Sequence, residues 1–227
     1  MTSNETSRRG LFITLEGVEG CGKSTQARRL VERWRARGRS VRAAREPGGT
    51  PLAEQVRSLL LDPAQAGMPA AAELLLMTAA RADHVTRVLE PALAAGEDVV
   101  CDRFSDSTRA YQGAARGLPD DVIATVDGLA RGGLVPDATL LLDIPAEVGL
   151  ERARTRNADD DSEGRLDGEA LSFHRRVRSG FLRLARNEPT RIWVLDASGD
   201  EDDVAERIDR ALARALPESA LVEESDR

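Results

Sequence analysis

The stretch Gly17-Val18-Glu19-Gly20-Cys21-Gly22-Lys23-Ser24-Thr25 decides the fold of this chain of 227 residues. It follows the apolar run 11–15 and opens a segment, 25–37, in which apolar residues recur at helical spacing. A strand, a glycine-rich turn and a helix in this order are the context in which the pattern G-x-x-x-x-G-K-[ST] binds phosphate. The stretch therefore predicts an ATP phosphate site, in which Lys23 reaches the β- and γ-phosphates and Ser24 ligates Mg²⁺.

Lys23 is the sole lysine of the chain, and every other basic residue except the two histidines is an arginine. A compact ammonium and a planar guanidinium are not interchangeable, because they differ in hydration and in hydrogen-bond geometry. The single lysine stands where the phosphate-loop pattern requires one. This favours a functional loop over the alternative interpretation, a glycine-rich turn that carries a lysine by chance.

Composition excludes several classes of protein. The formal net charge of -7 argues against a general nucleic-acid binder, and the 3% aromatic content argues against a base-stacking platform. The two cysteines, Cys21 and Cys101, are too few and too far apart for a metal framework, so both are expected to be small buried or loop residues. No apolar run approaches the 18 residues of a membrane span. No nucleic-acid partner and no membrane are predicted.

Both ends of the chain are polar segments that are predicted to lie outside the fold. Residues 1–10 lack the apolar stretch of a secretory signal, which predicts a flexible lead-in and a cytoplasmic location. Residues 217–227 are acidic and predict a disordered tail. A single domain over 11–216 is expected between them.

Apolar, β-branched runs alternate with helical patterns along this domain. The predicted strands are 11–15, 40–45, 98–101, 138–143 and 191–195. The predicted helices are 25–37, 52–61, 71–93, 105–129, 146–156, 169–187 and 203–216. This alternation predicts an α/β fold, a five-stranded parallel sheet with helices on both faces. Functional residues are then expected just beyond the carboxyl ends of the strands.

Asp102 and Arg103 follow the third predicted strand and should face the same crevice as the phosphate loop. A carboxylate there can hold Mg²⁺ through water, and a guanidinium can bind a phosphate at two points. The alternative is a surface ion pair without function. The position beside the loop favours the functional interpretation.

Four arginines flank an acidic segment at 157–164: Arg152, Arg154, Arg156 and Arg165. Arginines around such a segment suit a lid, at about 152–167, that supplies positive charge during phosphoryl transfer. The alternative is a solvated arginine-rich helix face. The acidic run is interpreted as the lid tip and not as a metal site.

The sequence offers no convincing general base. His84 and His174 have no partners at catalytic spacing and are expected to be structural or exposed. A phosphate monoester has a second pKa of about 6, so at neutral pH its oxygen is already a nucleophile. This favours Mg²⁺-assisted in-line transfer of the γ-phosphoryl group of ATP to a phosphate rather than to a hydroxyl.

Several linked motifs together resemble thymidylate kinase, a P-loop nucleoside monophosphate kinase family that makes dTDP from dTMP and ATP. They are the phosphate loop at 17–25, Arg45-Glu46-Pro47-Gly48-Gly49-Thr50, Asp102-Arg103-Phe104, Ala110-Tyr111-Gln112-Gly113 and the stretch 142–152. The resemblance runs from about residue 11 to 216 in the expected order. It implies a homodimer with ATP and dTMP as substrates, and a type that places its catalytic arginines in the lid because position 20 is glycine.

The resemblance also assigns roles at the acceptor site. It implies that Arg57 and Arg103 hold the dTMP phosphate and that Glu19 lies near the 3′-hydroxyl. Further residues would contact the nucleoside, Arg81 and Thr108 at the thymine and Tyr111 at the sugar. Met77 stands where the family usually carries an aromatic that stacks on thymine, and its polarizable thioether can cover a base face.

Two other functions stay open at this point. One is a kinase for a different monophosphate or for a small hydroxyl acceptor. The other is an ATP-binding module without catalytic activity. A GTPase switch is excluded, because its Asn-Lys-x-Asp element requires a second lysine.

Overall fold

The computed structural model describes residues 9–157, 165–166 and 168–217. Its strands are β1 Phe12–Glu16, β2 Val41–Arg45, β3 Asp98–Asp102, β4 Ala138–Asp143 and β5 Ile192–Asp196. They form one sheet in the order β2-β3-β1-β4-β5, and every adjacent pair is parallel. The predicted five-stranded parallel sheet is confirmed.

The helices follow the predicted alternation. They are α1 Lys23–Ala36, α2 Pro51–Leu61, α3 Ala70–His84, α4 Glu90–Ala94, α5 Ser105–Thr108, α6 Asp120–Arg131, α7 Ala146–Asn157, α8 Leu171–Asn187 and α9 Glu201–Ala215. Shorter helical turns lie at Pro63–Gln65, Val85–Leu89 and Arg109–Ala115, the last two with π-helical hydrogen bonding.

Most helices differ from their predicted bounds by one or two residues, and three differences have an identifiable physical reason. The helix expected at 71–93 contains the wide turn Val85–Leu89, because Pro91 has no amide hydrogen to donate to the preceding turn. The helical region expected to run to 129 is interrupted after Ala115, where Gly117 has a φ of 81°. Helix α9 begins before 203, because the Asp200 side chain accepts from the first-turn amides.

Apolar clusters cover both faces of the sheet. On one face Leu30, Phe181 and Ile208, from α1, α8 and α9, pack against the central strands. On the other face Phe12 and Phe104 meet edge to face at 5.0 Å, within a cluster that includes residues of α4. Since helices or their connecting turns cover both faces, the carboxyl-terminal edge of the sheet is where a crevice can open.

Further expectations can be compared with the described residues. Cys21 and Cys101 are both buried free thiols, as predicted. Within the described ranges no helix is both long and apolar enough to cross a membrane. The predicted leader 1–10 and tail 217–227 fall mostly on residues outside that description, and so do residues 158–164 and 167 of the predicted lid 152–167.

Candidate active site

The phosphate-loop stretch forms a tight turn between β1 and α1. Gly17, Gly20 and Gly22 have φ values of 144°, 67° and 93°, which side-chain-bearing residues rarely adopt. Gly22 is the residue that caps α1, so no side chain caps this helix, and its first turn contains no acidic residue. An uncapped helix N-terminus behind a glycine turn is a site where backbone amides can bind an anion.

Lys23 is held against this turn. Its side chain is buried, and Nζ donates to the Val18 carbonyl at 2.8 Å and lies 3.5 Å from Cys21 Sγ. The ammonium therefore lies over the loop, where the oxygens of a bound phosphate chain could replace these two acceptors.

The loop is also in backbone contact with helix α7. A Cβ atom on Gly20 would lie 1.9 Å from the Gly149 carbonyl oxygen, and a Cβ on Gly149 would lie 2.3 Å from the Glu19 carbonyl oxygen. No side chain fits on either side of this contact. The first turn of α7, the helix that carries Arg152 and Arg154, is thereby fixed beside the phosphate loop.

Ser24 and Asp102 face each other across the crevice. The Ser24 hydroxyl donates to Asp102 Oδ2 at 2.5 Å, which joins the start of α1 to the end of β3. A hydroxyl and one carboxylate fit Mg²⁺, which prefers oxygen ligands and usually keeps several waters. Among the described residues no group of three or more His, Cys, Asp or Glu side chains could hold a metal ion.

Arg103 ties the ends of β1 and β3 together. It has a φ of 72°, and its guanidinium donates to Glu19 Oε1 at 2.7 Å, to the Gly17 carbonyl at 3.0 Å and to Ser107 Oγ at 3.1 Å. It also donates to Tyr111 Oη at 3.1 Å and lies over that ring. The guanidinium is thus fixed in orientation at the centre of the site.

Glu19 balances this charge. Burial alone would raise the pKa of its carboxyl, but Arg103, Lys23 and the hydrogen bond from Tyr111 lower it to about 2. Glu19 is consequently ionised at neutral pH. The Glu19–Arg103 pair lies between the phosphate loop and the end of β3.

Glu16 lies beneath Arg103 at the end of β1, fully buried. Its carboxyl accepts from the Phe104 amide at 2.7 Å and from Ser107 Oγ at 2.6 Å. Burial and the neighbouring charge of Asp106 raise its pKa to about 7, against the opposing effects of Arg103 and these hydrogen bonds. The folded protein therefore holds this proton more tightly than the unfolded chain does.

We predict that Glu16→Gln removes a pH-dependent destabilisation. The raised folded pKa makes the wild-type free energy of unfolding fall as pH rises from about 4.5 to about 7, and the loss is complete above pH 7. The glutamine side chain does not titrate, so it lacks this pH-dependent loss of stability, and it retains an oxygen that can accept from the Phe104 amide. Thermal denaturation at pH 5.5 and 8.5 measures the melting temperatures of both proteins. The difference, variant minus wild type, should be larger at pH 8.5 than at pH 5.5. A constant difference between the two proteins would contradict the assignment.

Guanidiniums also converge at the opposite wall of the crevice. Arg57 donates to the Pro47 carbonyl at 3.1 Å, and Arg45 pairs with Glu54 at 2.8 Å. Burial and the nearby charge of Arg45 lower the pKa of Arg57. Positive charges that repel one another beside a cavity indicate an anion site.

The crevice encloses about 790 Å³ and runs from the phosphate loop to Met77 on α3 and Gln112. The predicted site residues that line it are Glu19, Gly20, Gly22, Lys23, Ser24, Thr25, Arg57, Met77, Asp102, Arg103, Tyr111 and Arg165. Arg81 and Thr108 lie behind this wall, both fully buried.

Arg81 is held by acidic partners. Its Nε donates to Glu46 at 2.7 Å, and Nη1 donates to Asp127 and, at 2.9 Å, to Thr108 Oγ1. Burial opposes its charge, but Glu46 and Asp127 raise the pKa of the guanidinium above its ordinary value. Its Nη2 has no hydrogen-bond partner among the residues that the structure describes.

Sequence reasoning did not include Gln112 and Glu73 among the candidate site residues. Gln112 Nε2 donates to Glu73 Oε1 at 2.7 Å, while Gln112 Oε1 is buried and unpaired within the described residues. Both residues line the crevice. The position of Gln112 directly after Tyr111 was a usable signal, whereas nothing in the sequence pairs it with a residue of α3.

The predicted lid arginines whose side chains are described lie in different surroundings. Arg152 and Arg154 are exposed on α7, and the side chain of Arg156 lies outside the described residues, as do residues 158–164 and 167. Arg165 is buried, with Nε donating to the Leu60 carbonyl at 2.8 Å and Nη2 to Glu73 at 2.6 Å. Arg165 therefore belongs to the wall formed by α2 and α3.

Both histidines lie outside the lining of the crevice. His84 is buried with Nδ1 3.1 Å from Glu46 Oε1, and His174 is buried on α8. Their positions are structural, which is one of the two expectations for them.

Comparisons with known proteins agree with this geometry. The family model described as thymidylate kinase matches residues 15–208. The thymidylate kinase of Syntrophotalea carbinolica is 50% identical over 207 residues, 90% of this chain and 96% of the relative. That of Desulfosudis oleivorans is 49% identical, over 90% of this chain and 97% of the relative. The crystal structure of thymidylate kinase from Ehrlichia chaffeensis superposes with a TM-score of 0.72 at 32% identity, covering 90% and 98% of the two chains.

Proposed function

This chain belongs to the thymidylate kinase family, whose members phosphorylate dTMP to dTDP with ATP, and we propose that one half of the crevice binds ATP, the donor, and the other half binds dTMP, the acceptor. The observation that carries the proposal is the position of Arg103. Its guanidinium contacts the phosphate loop through Gly17 and Glu19 and the proposed sugar site through Tyr111. One arginine thus spans the junction where two nucleotides would meet.

The donor half is the phosphate loop. Its amides and the start of α1 would bind the ATP phosphates, with Lys23 neutralising the β- and γ-phosphates. Mg²⁺ fits beside Ser24 and, through water, Asp102. When bound, the ion would neutralise negative charge on the phosphates during transfer.

The acceptor half has polar groups that complement thymidine monophosphate. Arg57 and Arg103 would bind the phosphate, and Tyr111 and Glu19 would contact the sugar. Thymine presents an acceptor at O4 beside a donor at N3. Gln112 Oε1, in the crevice lining, would be the matching acceptor, and Arg81 Nη2, directly behind this wall, would be the matching donor; neither atom has a hydrogen-bond partner among the described residues. Thr108 accepts from Arg81, and Met77 would lie against the face of the base.

The chemistry then requires alignment and charge neutralisation more than proton removal. The dTMP phosphate is ionised at neutral pH, so its oxygen can attack the γ-phosphorus in line with the leaving oxygen. Neither histidine is among the residues that line the crevice, so the proposed mechanism uses no histidine as a general base. Positive charge during transfer is still predicted to come from Arg152, Arg154, Arg156 and Arg165. A lid at about 152–167 and a cytoplasmic location also remain predictions.

A coupled ADP-release assay with ATP and a panel of deoxynucleoside monophosphates tests the proposal. We expect dTMP to give the highest kcat/KM and dTDP to be the product. A stronger preference for another monophosphate would assign a different acceptor. No ADP release with any acceptor would indicate the non-catalytic ATP-binding module.

We also propose a homodimer through α2, α3 and α6, helices that pack against one another. Their outer faces expose large apolar side chains: Leu52, Leu59, Leu75, Val122 and Leu129. Leu129, with 87% of its surface exposed, is the most extreme of these. A second copy of this chain would remove such a patch from water.

Leu129→Asp is expected to convert the dimer to a monomer, because it would bury an unpaired charge in the interface. Light scattering after size-exclusion chromatography measures the mass. Val194→Asp, on the half-exposed face of β5, is the matched control and should remain dimeric. A monomeric wild type, or a Leu129→Asp variant of unchanged mass, would contradict this interface.

A further inference from the structure

Glu73 is a buried carboxylate at the wall of the crevice with partners from two other parts of the chain. Oε1 accepts from Gln112 Nε2 at 2.7 Å, and Oε2 accepts from Arg165 at 2.6 Å and Arg116 at 3.2 Å. Only 2% of its side chain is exposed. A charge so deeply buried is costly unless it is paired, so the partners of Glu73 are needed for it to stay ionised.

The protonation of Glu73 fixes its hydrogen-bonding character. Burial would raise the pKa of this carboxyl, but Gln112, Arg165 and Arg116 lower it below its ordinary value. An ionised carboxylate accepts hydrogen bonds and cannot donate them. The group facing it on Gln112 must therefore be the amide NH₂.

This constraint decides which end of Gln112 remains available. With NH₂ directed at Glu73, the carbonyl oxygen is the atom left without a partner in the described structure. An acceptor at this place can bind a ring N–H, such as N3–H of thymine, but would face the N3 lone pair of cytosine. If the amide turned over, the preference would be reversed.

We propose that Glu73 is a specificity-determining positioning residue, which orients the Gln112 amide so that the acceptor site accepts thymine and rejects cytosine. The proposal rests on the proposed function, because it assumes that the base lies against Gln112. Glu73 acts through Gln112 and does not itself contact the base. Arg81, whose donors favour a carbonyl at C4, supplies the other part of the discrimination.

The test is the ratio of kcat/KM for dTMP to kcat/KM for dCMP in Glu73→Gln. A glutamine at 73 can accept or donate, so Gln112 loses its fixed orientation. We expect the dTMP-to-dCMP ratio to fall by about tenfold or more, as for the loss of one buried hydrogen bond. The dTMP-to-dUMP ratio should stay unchanged, since thymine and uracil present the same N3–H.

Two further variants separate orientation from stability. Arg116→Met removes one ion pair of Glu73 and should lower the melting temperature while the dTMP-to-dCMP ratio stays at the wild-type value. Glu73→Asp keeps the charge for both arginines but withdraws the carboxylate from Gln112, so the ratio should fall even if Glu73→Gln does not fold.

An unchanged ratio in a folded Glu73→Gln or Glu73→Asp protein would overturn the proposal, as would an equal loss in Arg116→Met. These outcomes leave the proposed function intact. A wild type that does not prefer dTMP over dCMP would overturn the function itself.

Discussion

Replacing Lys23 by methionine is expected to lower kcat by about a thousandfold, because the variant removes the ammonium that stands over the phosphate loop. Charge-neutralising groups at a transferring phosphoryl group contribute about 10²–10⁵-fold. Methionine keeps the unbranched stem, and within the folded protein it gives up the interactions of Nζ with Val18 and Cys21. Steady-state kinetics with ATP and dTMP measure the effect, and circular dichroism verifies folding.

Two controls make the result specific. Arg28→Met removes a mostly exposed arginine on the same helix and should change kcat less than about twofold. Lys23→Arg keeps the charge but places a planar group where the loop encloses a compact one, so its kcat should also be low. A Lys23→Met protein with a near-normal kcat would show that the loop does not hold the transferred phosphate.

Arg103→Gln is expected to lower kcat/KM for dTMP by about a thousandfold, with effects on both kcat and KM. Arg103 would bind the acceptor phosphate and remain in contact with it as charge develops, so the variant weakens both ground-state binding and transition-state stabilisation. Varying dTMP at saturating ATP separates the two effects.

The same substitution leaves Glu19 as a largely buried charge without its main partner, which costs stability. Arg103→Gln/Glu19→Gln removes that charge and serves as the control. It should recover much of the melting temperature while the activity stays low. Recovery of activity together with stability would mean that Arg103 acts only as a structural partner of Glu19.

The sequence was sufficient where local pattern determines structure. The phosphate loop needs glycines at positions of positive φ, and these glycines can be read directly from the sequence. The central strands are buried on both faces, so they appear as apolar runs. The crevice at their carboxyl ends follows from topology, which is why Asp102 and Arg103 could be placed beside the loop.

The sequence was insufficient where function depends on contacts between distant segments. Gln112 and Glu73 are 39 positions apart, and no periodicity relates them. Arg165 was grouped with the lid arginines by proximity in the chain, but its guanidinium binds the end of α2 and Glu73. The burial of Arg81 among Glu46 and Asp127 was likewise invisible, because each partner comes from a different element.

The backbones of Gly20 and Gly149 are in contact, and this contact is incompatible with a basic side chain in the phosphate loop at position 20. A long basic side chain rooted at position 20 would have to pass through the carbonyl oxygen of Gly149, so in this architecture the turn itself cannot provide a guanidinium. Any arginine that neutralises the transferring phosphoryl group must then come from a later segment, such as the proposed lid that begins at about residue 152. A homologue with a bulky residue at position 20 should accordingly show the helix equivalent to α7 shifted outward.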